Sequence, residues 1–218
     1  DVHNKVINIL RNTLSFYNLY KSERLAQNAE STHVLDQWIL SRLNQLIAES
    51  TTAFDAFDTV RATRPMKQFV DDFSTWYVRR SRDRVKSDDV ADKQAALNTM
   101  YTVFSHLSRI IAPVMPFIAD EIHQAIRSDT DPISVHLSDW PEPSAVHEEL
   151  LKDMTEVRRV VTLALEARQK ANIKVRQPLG SLKINAPVLN NKQNLLALIA
   201  DEVNVKNVVV DDGIETIV

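Results

Sequence analysis

The sequence predicts a mainly α protein: an antiparallel helical bundle followed by a small α+β unit. Three observations carry that expectation. Apolar residues recur at spacings of three and four through residues 2–127, the period of helices with one buried face. Aspartates and prolines then crowd residues 128–144, which reads as a boundary. Beyond it the period shifts, and Leu182, Ile184 and Ala186 alternate as in a strand.

In order, residues 2–20 read as a first helix, with Val6, Leu10, Leu14 and Tyr17 near one stripe. Residues 21–33 are polar and read as a loop, in which Ser31 and Thr32 can cap the next helix. Residues 34–50 form that second helix with Leu35, Trp38, Ile39, Leu43, Leu46 and Ile47 inward, and 51–57 connect it to a third. Asp58 is the cap of the third helix. Pro65 inside it removes a backbone donor, which predicts a kink or two helices in series. Met66, Phe69, Val70, Phe73, Trp76 and Tyr77 fall on one face, so Trp76 and Tyr77 are expected in the core. A fourth helix spans 92–111. Pro113 and Pro116 force a corner, and a fifth runs over 117–127 through Phe117, Ile118, Ile122 and Ile126. A short extended piece, 133–137, precedes the boundary.

The division falls at 1–143 and 144–218. The second part opens on a long helix, roughly 145–171. A strand around 182–186 comes next, then a short helix at Leu195, Leu196 and Ile199, and a buried strand over 205–210. Asp212-Gly213 reads as a hairpin turn into residues 214–218. No internal repeat or low-complexity tract is present.

Composition excludes several classes. The 218 residues, 44% hydrophobic and 25% charged, are ordinary for a soluble globular chain. A net charge of -3 confines any nucleic-acid surface to a local patch. Without cysteine there are no disulfides and no thiolate metal sites, in keeping with a reducing, cytoplasmic setting. No apolar run approaches the ~20 residues of a membrane span. The chain begins at Asp1 and not at methionine, as an excised piece would. Only two glycines, Gly180 and Gly213, leave no loop able to cradle phosphates on backbone amides. The six histidines form no ligand pair at helical spacing, so no metal site is expected. The acidic pairs are sequence neighbours that point apart on a helix, and no nucleophile elbow exists. No catalytic residue is expected.

Charge is concentrated in two places. Arg79, Arg80, Arg82, Arg84 and Lys86 against Asp83 leave a local net of +4. Arg158, Arg159, Arg168, Lys170, Lys174 and Arg176 against Glu156 and Glu166 leave another +4. Each cluster reads either as a solvated or dipole-complementing helix end, or as a surface for a polyanion backbone.

The wording of these stretches resembles a known family. Trp76-Tyr77-Val78-Arg79-Arg80-Ser81-Arg82 after a phenylalanine-rich helix is similar to the anticodon-binding region of isoleucyl-tRNA synthetases, class I aminoacyl-tRNA synthetases. The resemblance recurs in Leu35-Asp36-Gln37-Trp38-Ile39 and Ile111-Ala112-Pro113-Val114-Met115-Pro116-Phe117. It recurs again in Ser134-Val135-His136-Leu137-Ser138-Asp139-Trp140-Pro141, Lys174-Val175-Arg176-Gln177-Pro178 and Glu202-Val203-Asn204-Val205-Lys206. Six segments in family order cover nearly the whole chain. One departure is Val85-Lys86-Ser87, where many relatives carry aromatic residues.

The resemblance implies a tRNA-recognition region supporting ATP-dependent charging of isoleucine tRNA. The histidine-isoleucine-glycine-histidine and lysine-methionine-serine-lysine-serine motifs of the ATP site are absent, which points to a part without the catalytic core. No cofactor is expected here, whereas ATP and magnesium serve the parent enzyme. The partners implied are isoleucine tRNA and the catalytic domain of the parent chain, with no membrane, in a cytoplasmic monomer. Arg79, Arg80, Arg82, Arg84 and Lys86, then Arg168, Lys174 and Arg176, are the candidate phosphate contacts, and Gln177 a base-edge reader. The same region of a valyl or leucyl enzyme, or a helical protein-interaction scaffold without RNA, remain the rival readings.

Overall fold

The computed structural model describes residues 6–24 and 31–214. Along the chain stand α1 (Asn8–Tyr20), α2 (Val34–Asp55), α3 (Thr59–Asp71), a π-helical stretch (Asp72–Val78) and α4 (Arg79–Lys86). Then come α5 (Val90–Ile111), α6 (Pro116–Ile126), α7 (Glu148–Lys170), β1 (Leu179–Ile184), α8 (Gln193–Val203) and β2 (Val205–Val210). The architecture is mainly α with one two-stranded sheet. Two compact units divide it, Asp1–Val146 and His147–Val218.

In the first unit the apolar stripes meet around Trp38, Ile39, Ile47, Phe69, Phe73, Leu97, Met100 and Phe104, all buried. Phe73 stacks between Phe69 and Tyr77 at 6.3 and 5.9 Å and meets Phe104 edge-on at 5.2 Å. Residues 69, 73 and 77 are spaced by four, a row that drifts around an α-helix. The wider π turns over Asp72–Val78 hold that row in line. The same widening turns Trp76 partly outward. Tyr77 is buried as expected, but Trp76 is only half-buried, which corrects the expectation of two core aromatics.

Other local expectations change for visible reasons. Pro65 does not divide the third helix into two in series; α3 runs unbroken across it. Arg61, whose carbonyl loses the proline's donor, lines an open cleft. The second helix extends to Asp55, where Phe54 packs on Trp140 at 5.8 Å and the Thr51 and Thr52 hydroxyls donate back to Ile47 O and Ala48 O instead of breaking the helix. Its cap is His33, whose Nδ1 accepts from the Leu35 N–H at 3.2 Å, and not Ser31 or Thr32. Asp58 caps α3 as read, accepting from the Arg61 N–H at 2.9 Å. The fifth helix begins one residue earlier than read, at Pro116, and Phe117 in its first turn is 90% exposed. Residues 133–137 form no strand but lead into a 3-10 turn, Val135–Leu137, with Asp120 accepting from the Ser134 hydroxyl and the Val135 N–H.

In the second unit α7 and α8 bury Met154, Val157, Val161, Leu195 and Ile199 together with Leu182 and Ile184 of β1. β1 and β2 pair in parallel, Leu179 opposite Val205 through Ile184 opposite Val210, with α8 as the connection. Asn204 takes φ 54 and swings α8 directly into β2. Of β2 only Val205 is fully buried, so the strand expected in the interior lies at the surface of a two-stranded sheet. The Asp211–Gly213 turn is present, with Gly213 N–H on Asp211 Oδ1, while the hairpin's return strand at 215–218 lies outside the described residues.

Candidate nucleic-acid interface

α3, the π turns and α4 run on without a gap, so the aromatic row delivers the basic residues at a fixed angle to the core. The structure separates those five residues. Arg84 turns inward. Its two terminal nitrogens donate to Asp36 Oδ1 and Oδ2 at 2.8 and 2.9 Å, and Nε donates to Asp92 at 2.9 Å. Asp36 is fully buried and also accepts from the hydroxyls of Tyr77 and Ser31, both at 2.6 Å. Burial alone would raise the Asp36 carboxyl, but the Arg84 hydrogen bonds and charge, with the two hydroxyls, hold it below the usual carboxylate range. Burial, and then the Asp36 charge, push the Tyr77 phenol well up. Arg84 is therefore held in a buried ion pair, turned away from the outward stripe of the other candidates.

The others stay outward. Arg79, Arg82 and Lys86 are exposed, at spacings of three and four along one stripe of α4. Arg79 Nε donates to Thr75 O at 2.7 Å, and Arg82 sits over the Phe16 ring at 5.7 Å from its centroid. Lys86 makes no hydrogen bond or ion pair among the described residues. Arg80 is half-buried beside this row. The row is a line of cations set on a rigid helix, as a phosphate backbone requires.

In the second unit the basic residues are sorted the same way. Arg168, only 4% exposed, donates to the carbonyls of Lys174, Gln177 and Asn204 at 3.2, 3.0 and 2.9 Å. Asn204 Nδ2 reaches back to Val175 O at 2.8 Å, and Asn204 O also accepts from the Leu179 N–H at 3.1 Å. The segments 174–178 and 202–206, far apart in sequence, are thus tied into one knot with Arg168 inside it. Arg168 too is turned inward. What it holds outward is Lys174, Arg176 and Gln177, all exposed and without side-chain partners among the described residues. Of the remaining cluster, Arg159 is paired with Glu156 at 2.7 Å.

Sequence reasoning missed a third group. Arg61, Arg64 and Lys67 are exposed on α3 and carry no ion pair among the described residues. Beside them Phe57 is 92% exposed. The cations recur at spacings of three, and that was the available signal; the acidic neighbours Asp55 and Asp58 masked it in any count of local charge. Among the described residues no three His, Asp or Glu side chains gather as metal ligands, and no helix is long and apolar enough to cross a membrane.

Comparison with known proteins identifies the family. Residues 36–184 match the family model described as the anticodon-binding domain of tRNA ligase. The chain is 36% identical over 208 residues to the isoleucine–tRNA ligase of Corynebacterium efficiens, covering 94% of this chain and 19% of that protein. It is 36% identical over 214 residues to that of Chlamydia trachomatis serovar D, covering 91% and 20%. It is 37% identical over 220 residues to that of Clostridium kluyveri, covering 96% and 21%. The chain thus spans about a fifth of the length of these curated relatives.

Proposed function

This chain belongs to the family of anticodon-binding domains of tRNA ligases, and we propose that it grips the anticodon stem and loop of isoleucine tRNA for an isoleucine–tRNA ligase. The observation that carries the reading is the outward cation row Arg79, Arg82 and Lys86, left over once Arg84 is consumed inside. Phosphate contacts from such a row fix the orientation of an RNA, and base-edge contacts then specify it. Lys174, Arg176 and Gln177, presented on the turn that Arg168 holds, supply a second set of contacts, with Gln177 offering both a donor and an acceptor to a base edge. Arg80 adds a fourth charge beside the row. The ATP and magnesium chemistry of such a ligase, its catalytic domain as partner, a cytoplasmic setting and a monomeric state belong to the same proposal.

The test is binding of this chain to isoleucine and valine tRNA across a salt series. Tighter binding of isoleucine tRNA with a steep salt dependence supports the reading. Replacing Arg79, Arg82 and Lys86 with glutamine is expected to lower the slope of log K against log salt by about 0.7–0.9 per contact. Equal affinity for both tRNAs would remove specificity from this surface, and absence of binding at low salt would sink the reading.

A further inference from the structure

We propose that Phe57 is a stacking platform for an unpaired RNA base, with Arg61 and Arg64 holding the adjoining phosphates. The inference rests on the RNA-binding reading above and adds to it a site outside the two basic clusters.

The backbone at Phe57 is anomalous. Four described non-glycine residues have positive φ: Phe57, Asn172, Asn191 and Asn204. Three of the four are asparagine, whose short polar side chain tolerates the left-handed region. Phe57, at φ 56, is the exception. It occupies the position just past the end of α2. Its N–H donates to Phe54 O and the next N–H, of Asp58, donates to Ala53 O, both at 2.9 Å. That is the closing pattern of a helix end at which glycine is the usual residue, because without a Cβ it enters the left-handed region at no steric cost. A phenylalanine there costs steric strain. It gains nothing in packing, since the ring is 92% exposed. The fold therefore gives no reason for the ring, and a strained, solvent-facing aromatic points to a ligand.

The surroundings say which ligand. A cleft of about 840 Å³ lies between α2 and the start of α3, with Arg61, Arg64, Pro65 and Gln68 along one wall; Phe57, on the turn just before Asp58 of that lining, stands outside it. Arg61 and Arg64 carry no ion pair among the described residues, and Lys67 is exposed one turn on. Of the acids nearby, Asp58 is engaged as the cap of α3, and Glu49 lines the opposite wall. An exposed ring on a turn, followed by two guanidinium groups three residues apart on the next helix, is a combination that suits single-stranded nucleic acid: the ring stacks on a base and the cations track the backbone.

The test compares isoleucine tRNA binding by the unsubstituted chain with that of Phe57→Gly, Phe57→Asn, Phe57→Trp and the pair Arg61→Gln with Arg64→Gln. Glycine and asparagine suit the left-handed turn, so the melting temperature should hold or rise while tRNA affinity falls by about five- to a hundred-fold. Loss of a stacking contact leaves the salt slope unchanged, whereas the paired arginine changes lower it by about 0.7 per contact. Phe57→Trp keeps affinity. Undiminished affinity in Phe57→Gly and Phe57→Asn would overturn the inference and assign the ring to another surface. A fall in melting temperature in both would assign it to packing and overturn it equally. If the unsubstituted chain itself binds no tRNA, the proposed function fails and this inference with it, an outcome distinct from tRNA binding that Phe57 does not influence.

Discussion

Arg84 of the first unit and Arg168 of the second are both arginines drawn out of a basic run and into the interior, yet they are satisfied by opposite means. Arg84 meets full negative charge, bidentate on Asp36 and again on Asp92. Arg168 meets only backbone carbonyls, three of them, with no carboxylate at ion-pair distance among the described residues, and its Nε has no hydrogen-bond partner. The first arrangement ties helices together: α2 through Asp36, α4 through Arg84 and α5 through Asp92. The second shapes a turn. A cationic run in sequence is thus a mixture of fastener and surface, and the fastener's partner decides what it fastens.

The largest effect is expected from breaking the charged fastener. Arg84→Ala leaves Asp36 buried beside Tyr77 without its counter-charge, at a cost of about 3–5 kcal/mol. Thermal unfolding of the first unit measures it, and a loss below about 1 kcal/mol would show that Asp36 finds another partner. Arg168→Ala should cost less, about 2–3 kcal/mol, since dipoles and not charges are left behind and water can reach the exposed turn. Hydrogen exchange at the Leu179 amide, which bonds Asn204 O, is expected to accelerate. Because the same substitution frees Lys174, Arg176 and Gln177 from their fixed presentation, tRNA affinity should fall even where the unit remains folded. Arg168→Lys rescues only partly, since one ammonium cannot span three carbonyls that a planar fork reaches.

The smallest effect is the most discriminating one, and it lies in pH. The folded carboxyl of Asp36 titrates below its ordinary value, burial opposing and Arg84 outweighing it. Its contribution is therefore complete above the unfolded value near 4 and is lost as pH falls through the lower folded value. The stability gap between the unsubstituted protein and Asp36→Asn should be widest above about pH 5 and close below about pH 4. The gap between the unsubstituted protein and Arg168→Ala should not narrow in that window, because among the described residues Arg168 bonds only backbone carbonyls. Equal narrowing in both would erase the distinction between the two arginines.

Much of this was legible in one dimension. The helical stripes of α2, α5 and α7, the cap at Asp58, the alternation that becomes β1 and the region of β2 all come from spacing, because a residue's face within an element is set by its near neighbours. The resemblance carried by six short segments reached the family before any coordinate did. What stayed illegible is of another kind. Sequence could not sort Arg84 from Arg82, since the difference is Asp36, 48 residues away, which folding brings against one and not the other. It could not show that Arg168 serves a carbonyl 36 residues on, or that Asn204 closes the same knot. Nor could it show that π turns would carry Trp76 off the core face, or that a left-handed turn would lift Phe57 into solvent. Periodicity and capping are local and were determined by the sequence alone. Which charge is buried and which is offered to a partner is settled by desolvation and by contacts between distant segments, and only the tertiary structure decided that.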